Sequence, residues 1–175
     1  ARDLAESVID RTVTGQTRSR YVDLVETAIL LTTDDLGDLD FKIAGSALRE
    51  MREAFAMFKP YAGLRKVTIF GSARTKAHDP VHEQTVSLAR SLATKGWMVV
   101  TGAGPGIMEA GMVGAGREMS IGVSIRLPFE TGANPIIADD EKYVSMRYFF
   151  TRKLMLVKES HAFVALPGGF GTLDE

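Results

Sequence analysis

Trp97-Met98-Val99-Val100-Thr101-Gly102-Ala103-Gly104-Pro105-Gly106-Ile107-Met108-Glu109 is the stretch on which the fold turns. Four apolar residues in a row read as a short strand buried on both sides, and a glycine-rich turn leads it directly into a helix opening at Ile107. The same event recurs on either side. Val67 to Phe70 is a β-rich run that stops at Gly71 and precedes a helix over Val81 to Thr94. Ile121 to Leu127 is a third strand, and Lys142 to Ser145 a short fourth. A helix over Tyr148 to Glu159 then leads to a last strand, Ala162 to Leu166, followed by Gly168-Gly169-Phe170-Gly171. The helix from Ile107 to Met119 carries Gly111, Gly114 and Gly116, which imply close packing against a neighbour. Short apolar strands alternating with amphipathic helices predict a Rossmann-like, doubly wound α/β parallel sheet over residues 64–175.

Residues 1–63 read as an N-terminal helical extension. The first fifteen form a loose arm or a short helix. Tyr21 to Thr32 is helical, with Val22, Val25 and Ile29 on one face. An acidic break at Asp34 to Asp40 is followed by a second helix, Phe41 to Phe58, with Ala44, Leu48, Met51, Phe55 and Phe58 at helical steps until Pro60 and Gly63 end it. This extension has no catalytic signature and is expected to serve packing or dimerisation. The stop at Glu175, in the expected first turn of a helix, suggests a piece of a longer protein with at least one more helix.

The 175 residues include 21 Lys+Arg against 22 Asp+Glu, for a formal net charge of -1. That balance gives no electrostatic reason to expect nucleic acid or an anionic membrane as partner. The absence of Cys excludes disulfides, thiolate metal sites and a cysteine nucleophile. No apolar run approaches the roughly 20 residues of a membrane-spanning helix, and no leader resembles a signal peptide. The expectation is a soluble, cytoplasmic protein.

Ligands of such sheets bind beyond the C-terminal ends of the strands. Three strand exits stand out: Phe70-Gly71-Ser72-Ala73-Arg74, Thr101 to Glu109, and Pro167-Gly168-Gly169-Phe170-Gly171-Thr172-Leu173-Asp174-Glu175. Glycines there let backbone N–H groups approach an anion, so phosphate is the natural guest. The dinucleotide spacing G-x-G-x-x-G is not met, because the sixth position is Ile107, Glu109 or Asp174 depending on the start. No Gly-Lys-Ser/Thr occurs either. A mononucleotide or sugar phosphate fits better than a dinucleotide or ATP hydrolysis. Plainer readings stand beside this one. Glycine turns often only make corners, Arg152 and Lys153 could be the solvated edge of a helix, and Thr172 with Glu175 fits a capping box. His78 and His82 have i, i+4 spacing without an evident third ligand, and His161 reads as structural.

The segment Pro167 to Glu175, with Arg152-Lys153-Leu154-Met155 upstream, resembles the LOG ("lonely guy") family of cytokinin riboside 5'-monophosphate phosphoribohydrolases. The family's PGGxGTxxE motif is met in full, and the resemblance covers about Lys66 to Glu175. Phe70-Gly71-Ser72 and Gly104-Pro105-Gly106-Ile107-Met108-Glu109-Ala110 also look like family strand exits, with Ala103 where relatives often carry a third Gly. The long helical N-terminus is similar to the larger bacterial members. The resemblance implies hydrolysis of an N-glycosidic bond, with Arg152 and Glu175 catalytic and no metal or redox cofactor. It implies that Gly168, Gly169, Gly171 and Thr172 hold the 5'-phosphate, with Ser72, Gly104, Gly106, Glu109, Glu130 and Lys153 as further substrate contacts. A nucleoside 5'-monophosphate and a second copy of the chain are the partners implied. The lysine decarboxylase label attached to some relatives fits poorly, since no Schiff-base lysine with an acidic ring-nitrogen partner is evident. A nucleotide sensor or carrier without turnover is the alternative.

Overall fold

A computed structural model describes residues 1–9, 12–127 and 133–174. Two compact units divide the chain, Ala1–Ser46 and Ala47–Glu175. In the first, helix α1 (Arg2–Val8) lies against α2 (Gly15–Leu31), and Arg2 reaches Asp23 at 3.1 Å and Glu26 at 2.8 Å. Of the two expectations for the first fifteen residues, a loose arm or a short helix, α1 meets the second. Helix α3 (Asp38–Phe58) begins in this unit and ends in the next.

The second unit is the expected sheet. Strands β1 (Lys66–Phe70), β2 (Met98–Thr101), β3 (Ser120–Ile125), β4 (Tyr143–Met146) and β5 (Ala162–Ala165) are all parallel, in the order β4-β3-β2-β1-β5. Helices α4 (Pro80–Thr94) and α5 (Ile107–Ala115) cover one face, where Ala89 of α4 and Ile107 of α5 pack with Val67, Ile69 and Val99 of the sheet. The other face carries Phe70, Met98, Val100, Ile121 and Val123 beneath α6 (Phe149–Lys158) and the last turns of α3. Successive strand residues point to opposite faces, so each continuous apolar run feeds both cores. Ala54 and Phe58, grouped in the sequence with the extension, are buried in this second core. Residues 47–58 therefore belong to the unit that carries the sheet.

Local signals explain the element ends. Asp79 caps α4 by accepting from the Val81 N–H at 2.8 Å, with Pro80 in the first turn. Helix α5 ends at Ala115 instead of running to Met119, because Gly116 turns the backbone to φ +78 and a 3-10 turn follows. The close packing implied by the α5 glycines is real at Gly114, where an added Cβ would lie 2.2 Å from the Val86 carbonyl of α4. Among the described residues no helix is long and apolar enough to cross a membrane.

Candidate functional site

The chain runs from β1 through β4 on one side, then crosses back to place β5 on the other side of β1. Loops leaving the sheet on either side of β1 diverge, which opens a crevice at the carboxyl ends of the strands. A cleft of about 1130 Å³ lies there. Its walls are Gly71 to Arg74 after β1, Gly102 to Pro105 after β2, Ser124 to Leu127 at the end of β3 and just beyond it, and Gly169 to Thr172 with Asp174 after β5; Tyr143 and Ser145 on β4, Met108 of α5, and Phe149 and Arg152 of α6 complete them.

Three exits are tied together by backbone bonds. The Ser72 N–H donates to the Pro167 carbonyl at 3.2 Å, and the Ser72 carbonyl accepts from the Ile107 N–H at 3.1 Å. The second bond uses the first N–H of α5, a group that the sequence reading leaves for an anion. Gly106 makes this junction possible: its φ is +68, and a Cβ there would sit 2.4 Å from the Ser72 carbonyl oxygen. Ala103 adopts φ 58 without being glycine, and it is buried against Ile137 and Met112.

Arg152 lies at the heart of the cleft. It is 8% exposed, and its Nε–H donates to the Val123 carbonyl at 3.0 Å. The Gly122 N–H is turned to β4, bonding Lys142 O at 2.9 Å, so the polar groups of Val123 point the other way, past the end of β2 at Thr101. Arg152 takes that unclaimed acceptor. Its guanidinium also lies against Gly102, where a Cβ would come within 2.1 Å of Nη2. A charged planar group so held is suited to an anionic or polar ligand. Arg74 and Arg126 join it on the walls, and Asp174 is the only acidic residue among the described lining residues.

Of the residues singled out from sequence, Ser72, Gly104, Arg152, Gly169, Gly171 and Thr172 line this one cleft. Gly168 is not on the cleft wall, and an added Cβ there would lie 2.1 Å from the Thr172 hydroxyl oxygen. Thr172 is not a helix cap as the capping box required. Helix α7 (Phe170–Asp174) begins two residues earlier, and Thr172 sits inside it with its N–H on the Gly169 carbonyl at 3.0 Å. Lys153 is turned to Asp174 at 2.9 Å and does not line the cleft. Glu109 is half-buried in the first turn of α5, also off the cleft wall. Glu130 and Glu175 lie outside the described residues.

Sequence reasoning passed over residues on the cleft wall, such as Arg126, and behind it, such as Asn134. Arg126 follows β3 directly, so the strand-exit rule could have found it. Asn134 had no local signal: it is buried, donates from Nδ2 to the Gly104 carbonyl at 3.2 Å, and gives its own N–H to the Ala103 carbonyl at 2.8 Å. The loop that carries Asn134 is stapled by Arg117, which donates to the Ile136 and Ala138 carbonyls and pairs with Asp140 at 2.7 Å. Burial would raise the Asp140 carboxyl, but the hydrogen bonds from Lys142 and the charges of Lys142 and Arg117 outweigh it and hold the pKa below 3.8. Because the folded pKa is depressed, this stabilisation is full above 3.8 and is lost as pH falls through the folded value. Asp140→Asn is expected to cost roughly 2 kcal/mol at neutral pH, with the gap from wild type closing in acid; urea melts across pH check it.

Among the comparisons, the decisive match is the model of the SLOG cluster4 family, which covers residues 64–175. The chain belongs to the SLOG cluster4 family. That span is the α/β region, from just before β1 to the end. The LOG resemblance read from the motifs is thus met at the coarser level of the SLOG fold. No curated protein matches the chain.

Solved structures similar to this SLOG chain include TM1055, at 30% identity over 63% of this chain and 65% of that one, with a TM-score of 0.47. The Moco carrier protein from Chlamydomonas reinhardtii is 23% identical over 64% and 67%, TM-score 0.48. DNA processing protein A from Helicobacter pylori, described for its single-stranded DNA binding mode, is 20% identical over 61% and 56%, TM-score 0.48. The chain spans less than two thirds of the length of TM1055, the first of these.

Proposed function

We propose that this SLOG protein acts in the cytoplasm as a nucleoside 5'-monophosphate phosphoribohydrolase. It hydrolyses the N-glycosidic bond of purine or cytokinin riboside 5'-monophosphates to free base and ribose 5-phosphate. The observation that carries this reading is the buried Arg152 guanidinium, pinned by Val123 in the same cleft as Gly169, Gly171 and Thr172. A phosphate seated at the Gly168–Thr172 loop would bring the ribose toward the centre of the cleft, within the domain of Arg152.

Cleavage develops positive charge on the ribose ring and negative charge on the departing base. Arg152 meets the base side, where its fixed guanidinium stabilises the leaving group without reorganising. Glu175, catalytic by the family resemblance, would stabilise the ring and take a proton from the attacking water, while the departing base takes up a proton from solvent. The glycine loop orients the phosphate and so the ribose. Two copies of the chain are expected to associate, which light scattering tests.

The experiment is chromatography of products after incubation with AMP, GMP and isopentenyl-AMP. Free base together with ribose 5-phosphate is the expected result, and the ranking of substrates identifies the base preferred. Binding of all three without release would favour the sensor or carrier reading.

Gly102 gives a finer test. In Gly102→Ala the new methyl meets the Arg152 Nη2 and the Met108 Sδ, both far ends of flexible side chains. The fold should therefore survive with little change in melting temperature. Base release should fall on the order of a hundredfold, the cost that about an ångström of misplacement can carry. Paired melting and rate measurements check this.

A further inference from the structure

We propose that Glu50 anchors the first turn of α6 and is, through that helix, a positioning residue for Arg152. Helix α6 begins after Tyr148 with no side-chain cap of its own. The first N–H groups of a helix need acceptors from elsewhere. Glu50, on α3, accepts from one of them, the Tyr148 N–H, and from the Arg147 N–H just before the helix, across 97 and more residues of sequence. Its Oε1 accepts from the Arg147 N–H at 2.6 Å, and its Oε2 accepts from the Tyr148 N–H at 3.4 Å and the Thr151 hydroxyl at 2.8 Å.

Glu50 is 7% exposed, and Thr151 is fully buried. A carboxylate so withdrawn from water is tolerated only when hydrogen-bonded, and the positive end of a helix dipole favours it further. Its three contacts fall on the entry and first turn of α6, and Thr151 immediately precedes Arg152. The clamp therefore fixes both the start of the helix and its rotation about its axis. That rotation aims the Arg152 side chain at the Val123 carbonyl and the cleft. Glu50 lies outside residues 64–175, the span shared with the family model. The segment read from sequence as chemically silent thus reaches the site indirectly.

The test is hydrogen exchange by NMR on the full chain with Glu50→Gln, which keeps the shape but loses the charge and sets an amide NH₂ against backbone donors. The Arg147 and Tyr148 amides and the Arg152 Nε–H should exchange at least about tenfold faster, a factor equal to about 1.4 kcal/mol, while the Val99 and Val100 amides keep their rates. An unchanged Arg152 Nε–H would overturn the proposal, as would an equal acceleration at Val99 and Val100. Should Glu50→Gln fail to fold, Thr151→Val removes one partner of the clamp and is read in the same way.

A second arm rests on the function proposed above. AMP titrated by calorimetry should bind Glu50→Gln more weakly at unchanged stoichiometry, with no further weakening when Arg152 is already alanine. Equal weakening in both backgrounds would mean that Glu50 does not act through Arg152. Absence of AMP binding by the wild-type protein would refute the nucleotide reading, and the exchange measurement would still decide the role of Glu50.

Discussion

Arg152→Ala is expected to lower base release from AMP by roughly 100- to 1,000-fold, the loss typical of removing one preorganised donor to developing charge. Two consequences separate this from general damage. The Val123 carbonyl loses its partner, which costs about 1–3 kcal/mol and should appear as a modest fall in the melting temperature. The rate should fall far more than that change in folded population explains. Arg152→Lys should not restore activity, because an ammonium cannot donate to Val123 and reach the ligand with the same planar geometry. Rates measured at saturating AMP, beside thermal melts of all three proteins, check the prediction. Near-wild-type turnover in the alanine variant would remove Arg152 from the mechanism.

Glu175→Gln should have the second large effect, a fall in turnover of roughly 100- to 10,000-fold, with unchanged melting temperature and AMP affinity. The prediction rests on the PGGxGTxxE resemblance and on the chemistry: a cleaving ribose needs a negative group beside it, and Gln matches the shape of Glu without the charge. Binding by calorimetry and turnover by product chromatography must therefore part company. Loss of binding together with turnover would instead place position 175 in ligand capture.

The α/β architecture was legible because each strand of a parallel sheet is a short apolar run, and each run here stops at a glycine or turn that the sequence displays. The same exits announced the cleft. Less legible were features set by partners distant in sequence. The turns of α3 that carry Ala54 and Phe58 have the periodicity of any amphipathic helix, and nothing local says that this face covers the sheet. The Gly102–Ile107 turn reads as an anion cradle, whereas the Ile107 N–H is spent on the Ser72 carbonyl, and the Ala103 and Gly104 carbonyls accept from Asn134. Thr172 and Glu175 have capping-box spacing, but the helix starts two residues earlier, at Phe170. Arg152 shows the limit most clearly. Its family motif marked it, yet its pinning depends on where β2 stops relative to β3, a matter of sheet register that single-sequence reading does not supply.

The central claim is that the cleft breaks the bond between base and ribose, and a single-turnover experiment tests it most directly. Protein in excess over radiolabelled AMP is quenched over time and the label followed from nucleotide to base. The account predicts conversion of all bound AMP to adenine and ribose 5-phosphate by the wild-type chain, with Arg152→Ala and Glu175→Gln leaving the nucleotide intact over the same interval. AMP bound by the wild-type protein and recovered unchanged would contradict it.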